Sequence, residues 1–394
     1  MSKSIPYGKQ SITKDDEVAL VDALYSDFLT QGPKVTEFEA KFASYVGSKY
    51  AIAVSNGTAA LHLCALALDV NDESHVITTP ITFAASANCI LYCGGKVHFA
   101  DIDPTTGVLD INSVRKLLAS KPKGYFKGII PVDFAGYPVD LEEFRKLADE
   151  YDLWIIEDAC HAPGGFFTDS NNQRQRCGNG NYATLAIFSF HPVKHIATGE
   201  GGMITTNDER LFNKLLKLRT HGITKDPSLL EKNDGGWYYE MQELGFNYRI
   251  PDILCALGIS QLKKADAGLV RRKVIAGKYD EAFKGNTLIR TFSNEQDLEK
   301  RGISHAYHLY IIKVKARLKL YNHLRTRNIF AQVHYIPVYQ MPYYRDSGYQ
   351  DVRCINAEEY YSECLSLPMY PTLSDDDQNL VIETIIEFIK KTYE

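Results

Sequence analysis

No run of apolar residues in this sequence approaches the ~20 that a membrane span requires. The first ten residues, MSKSIPYGKQ, hold no apolar core, so a secretory leader is not expected. Basic charge is not in excess either. Against 49 Asp and Glu stand 44 Lys and Arg, and a net charge of −5 leaves no electrostatic footprint for nucleic acid. Repeats and low-complexity tracts are missing too. The eight cysteines are scattered without a CxxC pair, and Cys89 and Cys93, four apart in a helical pattern, read as neighbouring core thiols. Reduced thiols and a cytoplasmic location are the expectation, with no nucleic-acid and no membrane partner. What is present is an ordinary globular composition, 45% hydrophobic and 24% charged. At 394 residues the chain exceeds one typical core, so two domains, or one large one with an appendage, are expected.

Alternation fills the first half. Residues 11–40 open with a helical pattern on Val18, Leu20, Val21 and Leu24, followed by a turn-rich segment at 28–33. Strands are predicted at 50–54, 76–79, 97–102, 128–132 and 153–157, separated by helices at 57–68, 82–93, 110–120 and 140–151. That order means a mostly parallel sheet covered by helices on both faces. Residues 162–182 break the pattern, being rich in glycine and polar groups. Strands at 185–190 and 203–206 lie too close in sequence for a parallel crossover, so one antiparallel strand is expected. A helix at 208–220 closes the large domain. Residues 223–245, with Trp237, Tyr238 and Tyr239, read as an ordered excursion, and 244–251 as another turn-rich segment. Asp252 is expected to cap a long helix running to about Lys284. Strands at 308–314 and 331–334, with helices near 316–327, 356–364 and 374–391, form a separate α+β lobe. The division falls at 1–250 and 251–394.

The chemistry-bearing stretch is 185–207, LAIFSFHPVKHIATGEGGMITTN. A β-rich run ends in Ser189-Phe190-His191-Pro192, where open α/β sheets place their ligands. Lys194 follows, and the glycines at 199, 201 and 202 permit close approach of backbone to a ligand. Asp158 ends a second apolar strand, and its neighbour Glu157 should point the opposite way. Ser55-Asn56-Gly57-Thr58-Ala59 joins a strand to a helix, where unpaired N–H groups and the helix dipole suit a phosphate. Thr58 and Ala59 are the expected donors, with Gly57 leaving room. Phe83 sits at a turn in Pro80-Ile81-Thr82-Phe83. His191 and His195 are four apart, but Pro192 between them and the lack of a third ligand argue against a metal.

The ordered set S-F-H-x-x-K followed by T-G-E-G-G closely resembles the Schiff-base lysine segment of the DegT/DnrJ/EryC1/StrS sugar aminotransferases. The resemblance extends from about residue 5 to the end. It implies the aspartate-aminotransferase fold (type I): a large α/β domain with a mostly parallel seven-stranded sheet, and a smaller C-terminal α+β domain. It implies pyridoxal 5′-phosphate (PLP) as cofactor. In that resemblance Lys194 holds the aldehyde and shuttles the proton, Asp158 pairs with the pyridinium nitrogen, and Phe83 lies on the ring. His161 sits near the phenolic oxygen, and Ser189 reaches the phosphate. Asn247, in Gly245-Phe246-Asn247-Tyr248-Arg249, matches an asparagine that reaches the neighbouring subunit's cofactor, which implies a homodimer with shared sites.

The small-molecule substrates implied are L-glutamate and a keto nucleotide sugar. The segments TQGP, TTPITFAASAN and AQVHYIPVYQMPYY point within the family to amination at C4 of a UDP-linked 4-keto-6-deoxy-N-acetyl hexose. His334, Tyr335, Tyr339 and Tyr343 are then expected to border the sugar nucleotide. The alternatives are a C3 or C4 aminotransferase for another UDP-, dTDP- or GDP-linked keto sugar, and a catalytically silent regulatory protein of the same fold. The stretch at 168–181 is longer than the family pattern suggests, and reads as a disordered surface loop or one that alters access.

Overall fold

The computed structural model describes residues 4–292 and 295–393, so Met1–Lys3 of the N-terminal stretch lie outside it. In chain order the first half runs β1 (Ile5–Pro6), α1 (Lys14–Leu24), α2 (Pro33–Val46), β2 (Tyr50–Val54), α3 (Gly57–Ala67), β3 (His75–Thr78), α4 (Ala85–Tyr92) and β4 (Lys96–Phe99). It continues with α5 (Ile111–Ala119), β5 (Phe126–Ile130), α6 (Leu141–Tyr151), β6 (Trp154–Asp158), β7 (Phe166–Thr168), β8 (Arg174–Arg176), β9 (Leu185–Ser189), β10 (Gly202–Thr206) and α7 (Glu209–Arg219). Short strands β11 (Ile223–Thr224) and β12 (Glu240–Met241) bracket the aromatic excursion, ahead of α8 (Asp252–Lys263) and α9 (Ala265–Phe283). Then come β13 (Arg290–Thr291), α10 (Glu295–Lys300), β14 (Tyr310–Lys313), α11 (Arg317–Thr326), β15 (Ile329–Phe330), α12 (Pro342–Tyr344), α13 (Ile355–Glu363), β16 (Cys364–Leu367) and α14 (Asp375–Tyr393).

The central sheet has seven strands in the order β2-β10-β9-β6-β5-β3-β4. β10 runs antiparallel to both of its neighbours, and the other pairings are parallel. This is the single reversed strand that the short 190–201 connection demands. Carboxylate and amide side chains start the crossover helices: Asn56 accepts from Ala59 N–H, Asp110 from Asn112 and Ser113, Asp140 from Glu143, and Asp208 from Leu211. Such caps satisfy N–H groups that have no intrahelical partner. The sheet's apolar residues, including Ile77, Ile129, Ile155 and Ile187, are wholly buried between the two helical layers.

A second core belongs to the C-terminal part, where β13, β14 and β16 form an antiparallel sheet under α9, α11 and α14. β1 pairs in parallel with β15, so the N-terminal segment is strapped to this C-terminal part. A third core lies between α2, α8 and the outer face of β9, on Phe38, Phe42, Phe188 and Phe190.

Five expectations change. The 11–40 segment holds two helices, because Pro33 at the first turn restarts the chain as α2 after the turn. Asp252 caps α2 instead of its own helix: its buried carboxylate accepts from Gly32 N–H (2.7 Å) and Lys34 N–H (2.9 Å). The long helix it was expected to start is also broken, at Lys264, between α8 and α9. Residues 168–181 contain a hairpin limb and a turn bound to the body. Asp169 accepts from the N–H groups of Asn171 and Gln173, from the Gln175 amide and from the Tyr182 hydroxyl. The strand expected at 331–334 is a single bridge, Gln332 to Ser366, beyond β15. Among the described residues no helix is long and apolar enough to cross a membrane.

Candidate active site

The carboxyl ends of β6 and β9 and the amino end of α3 open into one cavity of about 740 Å³. Lys194 lies at its floor. The loop that carries it is held at both ends: Phe190 N–H donates to Gly201 O (2.8 Å), Thr198 N–H to Phe190 O (2.9 Å), and Lys194 N–H to His191 O (2.8 Å). Burial lowers the Lys194 amine below its ordinary value, and the neighbouring Cys160 and Asp158 offset part of that shift. A lysine so placed is a better nucleophile near neutrality than a solvated one.

Asp158 faces the same cavity from the end of β6 and is 5% exposed. Its Oδ2 accepts from Ser86 Oγ at 2.6 Å and its Oδ1 from Cys160 N–H at 3.2 Å. Ser86 is shared in turn with the Thr82 hydroxyl (2.8 Å). Glu157 turns to the opposite face of the strand, as period-two alternation requires, and accepts from Gly178 N–H with both oxygens.

The phosphate-binding expectation meets a tight piece of packing. A Cβ on Gly57 would stand 3.0 Å from Ser189 Cβ, so the helix start and the end of β9 abut through a glycine. A Cβ on Gly202 would come within 2.6 Å of the Asn56 carbonyl carbon and oxygen. Gly57, Thr58 and Ser189 all line the cavity. Ala59 lines it too, but its N–H is committed to Asn56 Oδ1 at 2.8 Å. The first-turn donors left facing outward are those of Gly57 and Thr58.

His161, Tyr335 and His334 form one wall. Ala135 N–H donates to His161 Nδ1 (3.3 Å), so the proton of the neutral ring sits on Nε2, which faces the Tyr335 hydroxyl at 3.5 Å. His308 stacks on His161 with centroids 4.2 Å apart. Burial, with Lys194 adding to it, holds His161 well below the ordinary imidazole range and His334 down at about 3. Phe83, 63% exposed, stands across the opening with its ring 6.4 Å from that of Tyr335.

Some expected residues lie elsewhere. Tyr339 is buried outside this cavity, donating to Glu358 (2.8 Å) and accepting from Cys354 N–H, and Tyr343 is on the surface. Asn247 is exposed and pairs with Thr220, while its neighbour Tyr248 lines the cavity. His195 points away and bonds Ala306 O (2.8 Å). Several lining residues went unread in the sequence: Tyr7, Ser86, Cys160, Tyr248 and His308. Ser86 carries a faint signal, a hydroxyl four residues after Thr82 at a helix start. Tyr248 and Cys160 stand beside residues that were singled out, Asn247 and His161, while Tyr7 and His308 come from segments with no motif of their own.

The donor set fits PLP: an amine and a carboxylate share one cavity with a glycine-lined helix start. A lysine, an acid and a glycine-lined helix start on this sheet topology are the arrangement of a PLP-dependent aminotransferase of fold type I. The sequence matches the DegT/DnrJ/EryC1/StrS aminotransferase family over residues 10–386. It is 38% identical to the spore coat polysaccharide biosynthesis protein SpsC of Bacillus subtilis, with 98% of this chain and 97% of that one covered. It is 36% identical to the UDP-4-amino-4,6-dideoxy-N-acetyl-beta-L-altrosamine transaminase of Campylobacter jejuni, with 99% of each chain covered. Among solved structures, Helicobacter pylori PseC, an aminotransferase of pseudoaminic acid biosynthesis, superposes with a TM-score of 0.87 at 30% identity, covering 99% of this chain and all of the other. Solved relatives also include PLP and PMP forms of one sugar aminotransferase. The chain belongs to the DegT/DnrJ/EryC1/StrS family and is a PLP-dependent sugar-nucleotide aminotransferase.

Proposed function

We propose that this enzyme moves the amino group of L-glutamate to the C4 keto group of a UDP-linked 4-keto-6-deoxy-N-acetyl hexose, working as a homodimer with shared sites. The observation that carries the reading is that Lys194 and Asp158 face one cavity beside the start of α3. The activities of the Campylobacter and Helicobacter relatives support the sugar. PLP, when bound, supplies an electron sink for the charge that develops at the amino donor's Cα. Lys194 binds the cofactor, and once displaced moves the proton from Cα. Asp158 is the ion-pair partner for the ring nitrogen, Ser86 orients that carboxylate, and Phe83 covers one ring face. Gly57, Thr58 and Ser189 hold the phosphate, His161 directs its Nε2–H inward, and His334 and Tyr335 border the sugar.

Two features support the second copy. Among the described residues no arginine lines the cavity, yet a sugar diphosphate and a dicarboxylate both need cations. On α1 and the following turn, Val18, Val21, Leu24, Tyr25, Phe28 and Leu29 are all about half or more exposed, an apolar surface of the kind that marks an interface. Asn247 is assigned to the partner's site in this reading.

The test is the visible spectrum of the protein with PLP, before and after L-glutamate, in wild type and Lys194→Ala. A PLP band that glutamate bleaches in wild type and that never forms in the variant is expected. The aminated form is then offered UDP-, dTDP- and GDP-linked keto sugars. No band in wild type would sink the assignment of Lys194. The resemblance to SpsC favours, as the second reading, another keto nucleotide sugar destined for a surface polysaccharide.

A further inference from the structure

Behind Asp158, on the far face of β6, lies a group of side chains that the transamination reading does not use. Asp133 and Glu157 are each 1% exposed, and with Cys177 their ligand atoms all fall within 4.8 Å of one another. Asp133 Oδ1 accepts from Val139 N–H (2.8 Å), but among the described residues its Oδ2 has no N–H or O–H donor. Glu157 receives one N–H, that of Gly178, through both oxygens. Among the described residues neither carboxyl has an ion-pair partner, and the titratable groups facing them are Cys177, Asp158 and Cys160, none of which is a cation. Two carboxylates this close, buried and without a countercharge cannot both ionise. A proton between Asp133 Oδ2 and Glu157 satisfies the orphaned oxygen and leaves the pair with a single charge. Burial pushes the proton affinity of both up; the charge of Asp133 adds to it at Glu157, and that of Asp158 at Asp133.

The pair stands where two walls of the cavity meet. Asp133 N–H donates to Asp158 O (3.0 Å), and Asp158 N–H donates to Pro131 O (2.9 Å). The Asp133 carboxylate, through Val139 N–H, closes the loop 133–139. Within that loop, Ala135 N–H fixes His161 Nδ1, while Ala135 O and Gly136 O receive Leu309 and Ala306 N–H from the segment carrying His308. Gly178 can approach Glu157 only as glycine: its φ is +82°, and a Cβ would stand 2.3 Å from the Phe188 ring.

We propose that Asp133 and Glu157 share one proton and act as a positioning pair, holding the loop that sets the tautomer and place of His161. Cofactor binding enters only the last arm of the test below. The proton-sharing itself is measured in the cofactor-free full chain and stands apart from the functional reading.

Asp133→Asn is the isosteric replacement, since its amide supplies the missing hydrogen to Glu157 and keeps an acceptor for Val139. The unfolded wild-type chain holds neither proton above about pH 5.5, whereas the folded one holds one. Wild type therefore loses stability relative to Asp133→Asn as pH rises, by about tenfold in the folding constant per pH unit between about pH 5.5 and 7. Urea unfolding across that range reads the difference, and the infrared carbonyl band of a protonated carboxylic acid at pH 7, absent from the variant, reads the proton directly. In the third arm, Asp133→Leu weakens PLP binding about tenfold or more while Asp133→Asn keeps it near wild type. Parallel pH curves together with no acid band would overturn the shared proton, as would one equivalent of zinc per chain on metal analysis. A folded Asp133→Leu that binds PLP like wild type would overturn the positioning role. If that variant does not fold, the proton measurements on Asp133→Asn still decide the proposal.

Discussion

Gly202→Ala is a one-methyl perturbation of the turn proposed to cradle the phosphate, and its cost can be worked from the packing. Gly202 starts β10 opposite Val54 of β2, and an added Cβ would stand 2.6 Å from the Asn56 carbonyl carbon and oxygen and 2.9 Å from Gly57 N. The obstacle is main chain, so no side chain can rotate out of the way. β10 is itself pinned between β2 and β9, which leaves the 55–58 turn as the part that yields. Overpacking of this kind costs ~1–3 kcal/mol, and a main-chain obstacle belongs at the upper end. If the turn gives way in the free protein, the thermal midpoint is kept and the cost appears when PLP needs the cradle restored, as a Kd weakened about 100-fold. If the turn cannot move, the same ~3 kcal/mol appears as lost stability. Thermal melts and PLP titrations, both by absorbance, divide the two. Gly236→Ala, where an added Cβ meets nothing within 4 Å and φ is not left-handed, is the control and should match wild type in both. A Gly202→Ala protein with both properties unchanged would show that β10 and the start of α3 are not in this close register, and the cradle would have to be sought elsewhere.

Ser86→Ala removes the 2.6 Å donor to Asp158; a bond to a carboxylate is worth ~1.5–3 kcal/mol, so PLP affinity should fall about 10- to 100-fold, and an unchanged titration would contradict the role. Asp252→Ala frees two N–H groups at the start of α2 and should lower stability by ~2–3 kcal/mol in urea unfolding while PLP binding at saturation persists. Acid should destabilise the fold early. Burial holds His98 at about 4 and His305 and His334 at about 3, so the folded state stays neutral where the unfolded chain takes up protons below about 6.5. Their contribution is complete above that value and is lost as pH falls toward their folded values, ~1.4 kcal/mol each and ~4 kcal/mol together by pH 5.5. The Asp133–Glu157 proton acts in the opposite sense over this range, so the reading is made in Asp133→Asn, where a thermal midpoint flat from pH 7 to 5.5 would refute it.

The sheet and the lysine that lines the cavity were legible because both are written in short, contiguous patterns. A strand ending in Ser189, a lysine five residues on and glycines after it occupy one stretch, and β6 delivers Asp158 by its apolar run alone. The reversed β10 followed from the length of one connection. What escaped the sequence depends on distance. Asp252 reads as a cap for the helix it begins, yet its carboxylate serves Gly32 and Lys34, more than two hundred residues earlier. Tyr7, Cys160 and His308 reach the cavity from three separate segments, and none stands in a pattern that distinguishes it from a packing residue. Tyr339 failed the other way. It stands in a motif beside Tyr335, but the turn between them buries its hydroxyl on Glu358. For 168–181, polarity suggested a loose loop because the chain's own side chains, chiefly Asp169, supply the missing order.

The pairing of β1 with β15 has a consequence for how the molecule is made. Ile5 and Pro6 leave the ribosome more than three hundred residues before their partners Ile329 and Phe330. β2 likewise waits for β10, its one neighbour in the sheet. During most of synthesis the N-terminal segment is therefore an unpaired strand, exposed to the nascent-chain environment, and Tyr7 cannot yet take its place in the cavity. Contacts of such sequence separation are slow to close and leave edges open while they wait. The cavity is thus closed late, by a segment made long before its partner strand.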